Sequence, residues 1–128
     1  MSKNKTALLT NDENLRGALN VRINSIINFN DYLSAITSTM IKKYPILIID
    51  SMELPIFNEQ KIVNSINQIS PQTMIIFLSR LNDIEYQKLI RNNNKVAYYI
   101  TFPIDMFLLE KVVENFLNSV NNLEFQYE

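Results

Sequence analysis

The sequence predicts an α/β domain with a five-stranded parallel sheet covered by helices on both faces. Short apolar runs alternate with helix-period segments along the chain. The runs Ile46–Ile49 and Thr73–Leu78 are continuous and rich in β-branched residues, which is typical of strands buried on both faces. Such an alternation produces a parallel sheet, because each helix carries the chain back across a sheet face. The length of 128 residues suits a single domain.

The first half of the chain contains three predicted strands and two predicted helices. The strands are Thr6–Thr10, Ile26–Phe29 and Ile46–Ile49. Asn11-Asp12 and Asn30-Asp31 follow the first two strands, and their side-chain oxygens can accept hydrogen bonds from the first N–H groups of a helix. The positions expected to face inward are Leu15, Ala18, Leu19, Ile23 and Ile26 in the first helix and Leu33, Ile36 and Met40 in the second. Tyr44-Pro45 ends the second helix.

The second half continues the pattern with three helices and two strands. A third helix follows Asn58 and ends at Ser70-Pro71, and a fourth begins at Asn82 and ends at the run Asn92 to Asn94. The strands are Thr73–Leu78 and Val96–Ile100, and the last helix begins at Pro103. Its inward positions and those of the third helix are Ile62, Ile66, Ile69, Ile104, Phe107, Leu108, Val112 and Phe116. We expect a core of residues 5–120, with residues 121–128 as a tail or the start of a linker.

The composition argues against several classes of protein. The net charge of −1 provides no general attraction for nucleic acid or a membrane surface, and no apolar run approaches the roughly 18–20 residues of a membrane helix. The chain has no cysteine, which excludes disulfides and thiol chemistry and fits the cytoplasm. It also has no histidine, which removes the commonest general base and zinc ligand. A metal site would need oxygen ligands and therefore a hard ion such as magnesium or calcium. An independent enzyme is disfavoured, because the sequence shows no arrangement of a base with a nucleophile.

Several chemically useful residues follow the predicted strands. Ligands bind to parallel sheets at the carboxyl ends of strands, where Asp12, Asp50 and Ser79 are expected to meet. Two converging carboxylates repel each other unless a cation lies between them, and Mg²⁺ suits that position. A carboxylate beside Mg²⁺ can attack phosphorus, and a serine hydroxyl can donate to a phosphoryl oxygen. The pattern is therefore compatible with phosphoryl transfer to an aspartate.

This pattern resembles the receiver domain of response regulators, which has the CheY-like, flavodoxin-like (βα)5 fold. The likeness covers roughly Lys5 to Val120. It is carried by Leu8–Glu13, by Ile46–Asp50 with Leu54-Pro55 downstream, by Phe77–Ser79 and by Tyr99–Pro103. The order and spacing of these segments together make the resemblance specific.

The resemblance implies a role for each matching residue. Asp50 is the phospho-acceptor, Asp12 is a direct Mg²⁺ ligand, and Met52 provides a backbone carbonyl to the metal. Ser79 is the switch hydroxyl and Tyr99 the aromatic residue that turns inward on activation. Pro103 follows a cis peptide bond. The implied partner is a sensor histidine kinase or a phosphotransfer protein, with no direct nucleic acid or membrane binding.

The sequence departs from the family pattern around the expected site. Asn11 replaces one acidic residue, so Mg²⁺ binding should weaken, although an amide oxygen can bind the metal or its water. Phe102 replaces the lysine that contacts the phosphoryl group. Arg80 stands where a small residue is usual, and we hypothesise that it partly replaces the lost cation. Asp50 and Pro55 are also one residue further apart than usual, which affects how Met52 presents its carbonyl.

These departures leave two functions open. The first is a receiver that is phosphorylated on Asp50 with Mg²⁺. The second is a phosphorylation-independent pseudo-receiver that binds proteins or dimerises through the face made by the fourth helix, fifth strand and last helix. Ser79, Tyr99 and Arg80 also have ordinary structural interpretations, as a loop serine, a packed aromatic residue and a solvated arginine. A flavin or nucleotide binder is disfavoured because no glycine-rich loop follows the first strand.

Overall fold

A computed structural model of the chain, which describes residues 5–54, 59–79 and 96–126, contains one parallel five-stranded sheet. The strands are β1 (Thr6–Leu9), β2 (Ile26–Phe29), β3 (Ile46–Asp50), β4 (Met74–Ser79) and β5 (Val96–Thr101). Their order across the sheet is β2-β1-β3-β4-β5, and every neighbouring pair is parallel. The predicted α/β fold with a five-stranded parallel sheet is therefore confirmed. β3 occupies the centre, so its last residue lies in the middle of the carboxyl edge.

The helices follow the strands, and the first two helices begin directly after the predicted capping residues. They are α1 (Glu13–Arg22), α2 (Tyr32–Lys42), α3 (Glu59–Ile69) and a C-terminal helix (Met106–Gln126), with a short 3-10 turn at Ser51–Glu53. Asp12 caps α1, where one carboxylate oxygen accepts from the N–H groups of Asn14 and Leu15 at 3.0 and 3.1 Å. Asp31 caps α2 by accepting from the N–H of Ser34 at 2.8 Å. Short polar side chains thus mark where α1 and α2 begin.

The core lies on both faces of the sheet, because successive residues of a strand point to opposite faces. Leu47 and Ile49 of β3 belong to a cluster with residues of α2 and α3. Ile46 and Ile48 belong to a second cluster with residues of α1 and the C-terminal helix. All four side chains are fully buried. The uninterrupted apolar sequence of this strand follows directly from its position between two helix layers.

Some of the predicted inward positions are wrong. Leu33 is 64% exposed and Phe107 is 65% exposed, while Ile69 and Leu108 are also exposed. Ile36 is buried as predicted, and Met40, Val112 and Phe116 are partly buried. The other buried residues described in these two helices are Ala35, Thr39, Leu109 and Val113. In α2 and the C-terminal helix apolar side chains occur on more than one side, so the spacing alone did not decide which of them are buried.

The C-terminal helix extends to Gln126 and so includes most of the predicted tail. The predicted fourth helix (residues 82–94), together with Arg80, Pro55 and Asn58, lies outside the described residues. Within the part of the chain that is described, no helix has the length and apolar character required to cross a membrane.

Candidate functional site

The carboxyl edge of the sheet brings polar residues to the ends of β1, β3 and β4. Asp50 is the last residue of β3 and is only 1% exposed. Ser79 is the last residue of the neighbouring strand β4, one position beyond Leu78, which pairs with Asp50. Thr10 directly follows β1, and its side chain is also buried. A buried carboxylate therefore lies at the centre of this edge with hydroxyl groups on the strands beside it.

The carboxylate of Asp50 is held by donors on both of its oxygens. The hydroxyl of Thr10 donates to Oδ2 at 2.9 Å, and the backbone N–H of Met52 donates to Oδ1 at 3.1 Å. Buried charges need such hydrogen bonds to offset the loss of water. The two bonds fix the plane of the carboxylate relative to β1 and to the turn that follows β3. Met52 contacts the site through its N–H, and its side chain is exposed.

Asp12 is joined to Asp50 through the hydroxyl of Thr10. That hydroxyl accepts from the backbone N–H of Asp12 at 3.0 Å while it donates to Asp50. One hydroxyl can do both because it carries a donor hydrogen and acceptor lone pairs. The structure thus brings Asp12 and Asp50 to the two sides of a single threonine, and Asp12 also caps α1.

Asn11 contacts Glu53, a residue of the 3-10 turn after β3. The Asn11 backbone N–H donates to Oε2 of Glu53 at 3.2 Å, and its Nδ2 donates to Oε1 at 2.5 Å. Nδ2 also donates to the carbonyl of Asn30 at 2.8 Å. The Asn11 amide thus acts as a donor towards two neighbouring loops. Its predicted role as a metal ligand, directly or through water, is not tested by these contacts and stays a prediction.

Arg16 of α1 brings a positive charge to the loops that follow β1 and β2. Its Nη1 donates to the carboxylate of Glu13 at 2.8 Å, and its Nη2 donates to Oδ1 of Asn30 at 2.6 Å and to the carbonyl of Thr10. The arginine side chain is largely buried, at 18% exposure. The backbone carbonyl of Thr10 and the side-chain oxygen of Asn30 thereby gain a charged donor.

The predicted switch residues lie on β4 and β5. The carbonyl of Ser79 accepts from the N–H of Phe102 at 2.9 Å, so its position is tied to the end of β5. Tyr99 is half-buried, and its ring stacks on Phe77 with centroids 5.8 Å apart and an interplanar angle of 27°. Tyr98 is exposed. Tyr99 thus packs on the cluster shared with α2 and α3.

Phe102 occupies the position where the resemblance implies a lysine. Its half-buried side chain packs against the cluster formed with α1 and the C-terminal helix. The peptide bond between Phe102 and Pro103 is cis, the geometry that the resemblance implies here. An aromatic side chain packed in this way cannot pair with an anion in the crevice.

The described residues provide oxygen donors suitable for a hard cation. Among them, no three or more acidic, histidine or cysteine side chains converge in a way that could hold a metal ion. The set that the resemblance implies, the Asp12 and Asp50 carboxylates and the carbonyl of Met52, stays a prediction. Its chemistry fits Mg²⁺, which retains several waters and needs only one or two carboxylates.

Sequence reasoning missed Thr10, Glu53 and Arg16. Thr10 offered one signal, because it is a polar residue that ends an apolar run directly before the acidic loop. Glu53 stands in the turn that is one residue longer than the family pattern. No sequence signal marks Arg16, whose acceptors Thr10 and Asn30 lie in the loops after β1 and β2.

Comparison with solved structures identifies the fold. The chain is similar to a response regulator receiver domain protein from Clostridium thermocellum, with 18% identity, a TM-score of 0.78 and coverage of 93% of this chain and 98% of that one. A CheY-like receiver domain protein from Methanospirillum hungatei gives 11% identity, a TM-score of 0.76 and coverage of 93% and 97%. The BeF3-activated receiver domain of DrrB from Thermotoga maritima gives 22% identity, a TM-score of 0.70 and coverage of 89% of this chain and 97% of that one.

The chain therefore has the fold of response-regulator receiver domains, as the resemblance implied. At these identities the likeness extends to the fold alone. No protein-family model matches the sequence, and no curated protein matches it.

Proposed function

We propose that this chain is a receiver domain that accepts a phosphoryl group on Asp50 in the presence of Mg²⁺ and thereby changes a protein-interaction surface. One observation carries the proposal. Asp50 is buried at the end of the central strand, and donors from Thr10 and Met52 orient both of its carboxylate oxygens. An aspartate with a purely structural role would not need to lie here, close to Asp12 and to the end of the strand that carries Ser79.

The proposed reaction transfers a phosphoryl group from a phosphohistidine on a sensor kinase or phosphotransfer protein. An oxygen of Asp50 forms the new O–P bond, the N–P bond of the donor breaks, and the imidazole leaves with the bonding electron pair and takes up a proton. The product is an aspartyl phosphate. The orientation of the carboxylate by two hydrogen bonds lowers the entropic cost of reaching the attacking geometry.

Asp12, Asp50 and the Met52 carbonyl would hold the Mg²⁺ ion, which offsets the charge of the incoming phosphoryl group. Two carboxylates take part where the family pattern has three, so affinity for Mg²⁺ should be lower than in a receiver with a complete acidic pair. Arg80 is proposed to supply part of the positive charge that Phe102 lacks. That assignment rests on its place in the sequence directly after Ser79.

The output surface is proposed to include β5 and the C-terminal helix. Ser79 would donate to a phosphoryl oxygen, and a shift of this strand end would reach Phe102 through the backbone hydrogen bond between the two residues. Exposed apolar side chains on these two elements support a contact surface, and a homodimer through this face and the fourth helix is one form. The exposed apolar side chains are those of Tyr98, Phe107 and Leu108.

The alternative function is a pseudo-receiver that binds proteins without phosphorylation. Two observations favour it. Phe102 packs its side chain against the core cluster of α1 and the C-terminal helix, and the Asn11 amide donates to Glu53 and Asn30. On this alternative the same exposed face of β5 and the C-terminal helix serves as a constitutive binding surface.

Thermal unfolding with Mg²⁺ and beryllofluoride, a mimic of the aspartyl phosphate, tests the proposal. Ligand at about 100 times its dissociation constant should add roughly 2.7 kcal/mol, which is several degrees in Tm for a domain of this size. The shift should need both ions and should disappear in Asp50→Asn. Asp31→Asn is the matched control, because Asp31 follows the edge strand β2 and asparagine preserves its cap. No shift in the folded wild type would favour the pseudo-receiver.

A further inference from the structure

The turn after β3 carries a carboxylate that reaches the loop after β1. Glu53 ends the 3-10 turn Ser51–Glu53, and its two oxygens accept from the backbone N–H and the side-chain Nδ2 of Asn11 at 3.2 and 2.5 Å. A single carboxylate thus bonds two donors of the same residue. Charge-assisted bonds of this kind are stronger than those between neutral groups.

Asn11 in turn reaches a third segment. Its Nδ2 donates to the carbonyl of Asn30, which lies between β2 and α2, at 2.8 Å. Arg16 adds a bond from Nη2 to the side-chain oxygen of Asn30 at 2.6 Å. The loops that follow β1, β2 and β3 are therefore linked through one asparagine and supported by one arginine.

Both side-chain hydrogen bonds of Asn11 need a donor at position 11. Its two partners are the carboxylate of Glu53 and the carbonyl of Asn30, and both are acceptors. An aspartate there would place an anion against another anion and against a carbonyl oxygen. Such an arrangement is unfavourable unless a cation is bound between the groups.

We propose that Asn11 and Glu53 form a metal-independent clamp that holds the loop after β1 against the turn after β3. Where an acidic residue at position 11 would need a divalent cation to order this loop, the amide orders it by direct hydrogen bonds. Asn11 and Glu53 are positioning residues, because they fix the loop that carries Asp12. The proposal does not depend on phosphorylation of Asp50.

Amide hydrogen exchange at the backbone N–H of Asn11, measured by NMR in EDTA and in Mg²⁺, tests the clamp. The variants are Asn11→Asp, Glu53→Gln and the double variant, which exchanges the carboxylate and the amide across the pair. In EDTA, Asn11→Asp should accelerate exchange at position 11 by about tenfold, because the side-chain bond is lost and repulsion between the two carboxylates moves Glu53 away from the backbone N–H. Mg²⁺ should reverse part of that acceleration in Asn11→Asp and leave wild-type exchange unchanged.

The double variant should regain part of the protection in EDTA, because the carboxamide can then donate to the carboxylate across the same gap. Asn14→Asp is the matched control, since Asn14 is exposed in the first turn of α1. It introduces the same charge three positions away and should leave exchange at Asn11 within about twofold of wild type. Unchanged exchange in Asn11→Asp, an equal effect of Asn14→Asp, or wild-type protection that appears only with Mg²⁺ would each overturn the proposal.

Discussion

Thr10→Val tests the hydroxyl that joins the two acidic residues of the site. The Thr10 side chain is fully buried, donates to Oδ2 of Asp50 at 2.9 Å and accepts from the N–H of Asp12 at 3.0 Å. Valine has nearly the same shape as threonine but lacks both hydrogen-bonding functions. The substitution therefore leaves the packing largely intact and removes one donor from a buried carboxylate and one acceptor from a half-buried N–H.

The expected loss follows from these two bonds. A hydrogen bond to an ionised acceptor contributes about 1.5–3 kcal/mol, and one between neutral groups about 0.5–1.5 kcal/mol. Water can replace part of the bond to the Asp12 N–H, and the added apolar burial of valine returns somewhat less than about 1 kcal/mol. A net loss of about 2 kcal/mol is expected, which lowers Tm by about 6–10 °C in a domain of this size.

Urea unfolding followed by circular dichroism measures this loss, with Thr39→Val as the matched control. Thr39 is also fully buried, but its hydroxyl donates at 2.7 Å to the carbonyl of Ala35 within α2. Losing that neutral bond should cost less than about 1 kcal/mol, because the same substitution leaves no charged group without a donor. If Thr10→Val were as stable as wild type, or no less stable than Thr39→Val, the proposed contribution of the Thr10–Asp50 bond would be refuted.

Two further predictions concern the scaffold. Ile48→Ala, at a fully buried position of the central strand, should lower the free energy of unfolding by about 2–5 kcal/mol, while Val21→Ala, at an exposed position of α1, should change it by less than about 0.5 kcal/mol. Equal urea midpoints for the two variants would contradict the assigned core. The hydrogen bond from the Ser34 N–H holds the pKa of Asp31 below its ordinary value of 3.8. Ionised Asp31 therefore stabilises the fold above pH 3.8 and loses this contribution as the pH falls through its folded-state pKa. The stability advantage of wild type over Asp31→Asn should shrink in urea titrations as the pH falls from about 5 to about 2, and a constant difference would refute the assignment.

The strands and, to within one residue, their ends could be predicted from the sequence because each depends on local patterns. Ile46–Ile49 has no polar residue on either face, as a strand between two helix layers requires. Asp12 and Asp31 mark helix starts through side-chain chemistry that acts over only three residues. Parallel topology then brought Asp12 and Asp50 to the same sheet edge. These inferences needed no knowledge of distant contacts.

The helix faces and the hydrogen bonds of the site could not be predicted in the same way. Leu33 and Phe107 belong to helices with apolar residues on several sides, and only packing against the sheet decides which side is buried. The bonds from Thr10 to Asp50 and from Asn11 to Glu53 span 40 and 42 positions in the chain. Such pairings depend on strand register and on the length of the turn after β3, which a pattern of residue types does not specify.

The measurement that tests the central claim most directly is phosphoryl incorporation from acetyl phosphate, followed by intact-mass spectrometry. An oxygen of Asp50 would displace acetate from phosphorus and form the aspartyl phosphate. The account predicts that one phosphoryl group is added to the wild type in Mg²⁺, and that none is added in EDTA or to Asp50→Asn. A folded wild-type protein that remained unmodified in Mg²⁺, or an Asp50→Asn variant that was modified equally, would contradict the assignment of Asp50 as the phospho-acceptor.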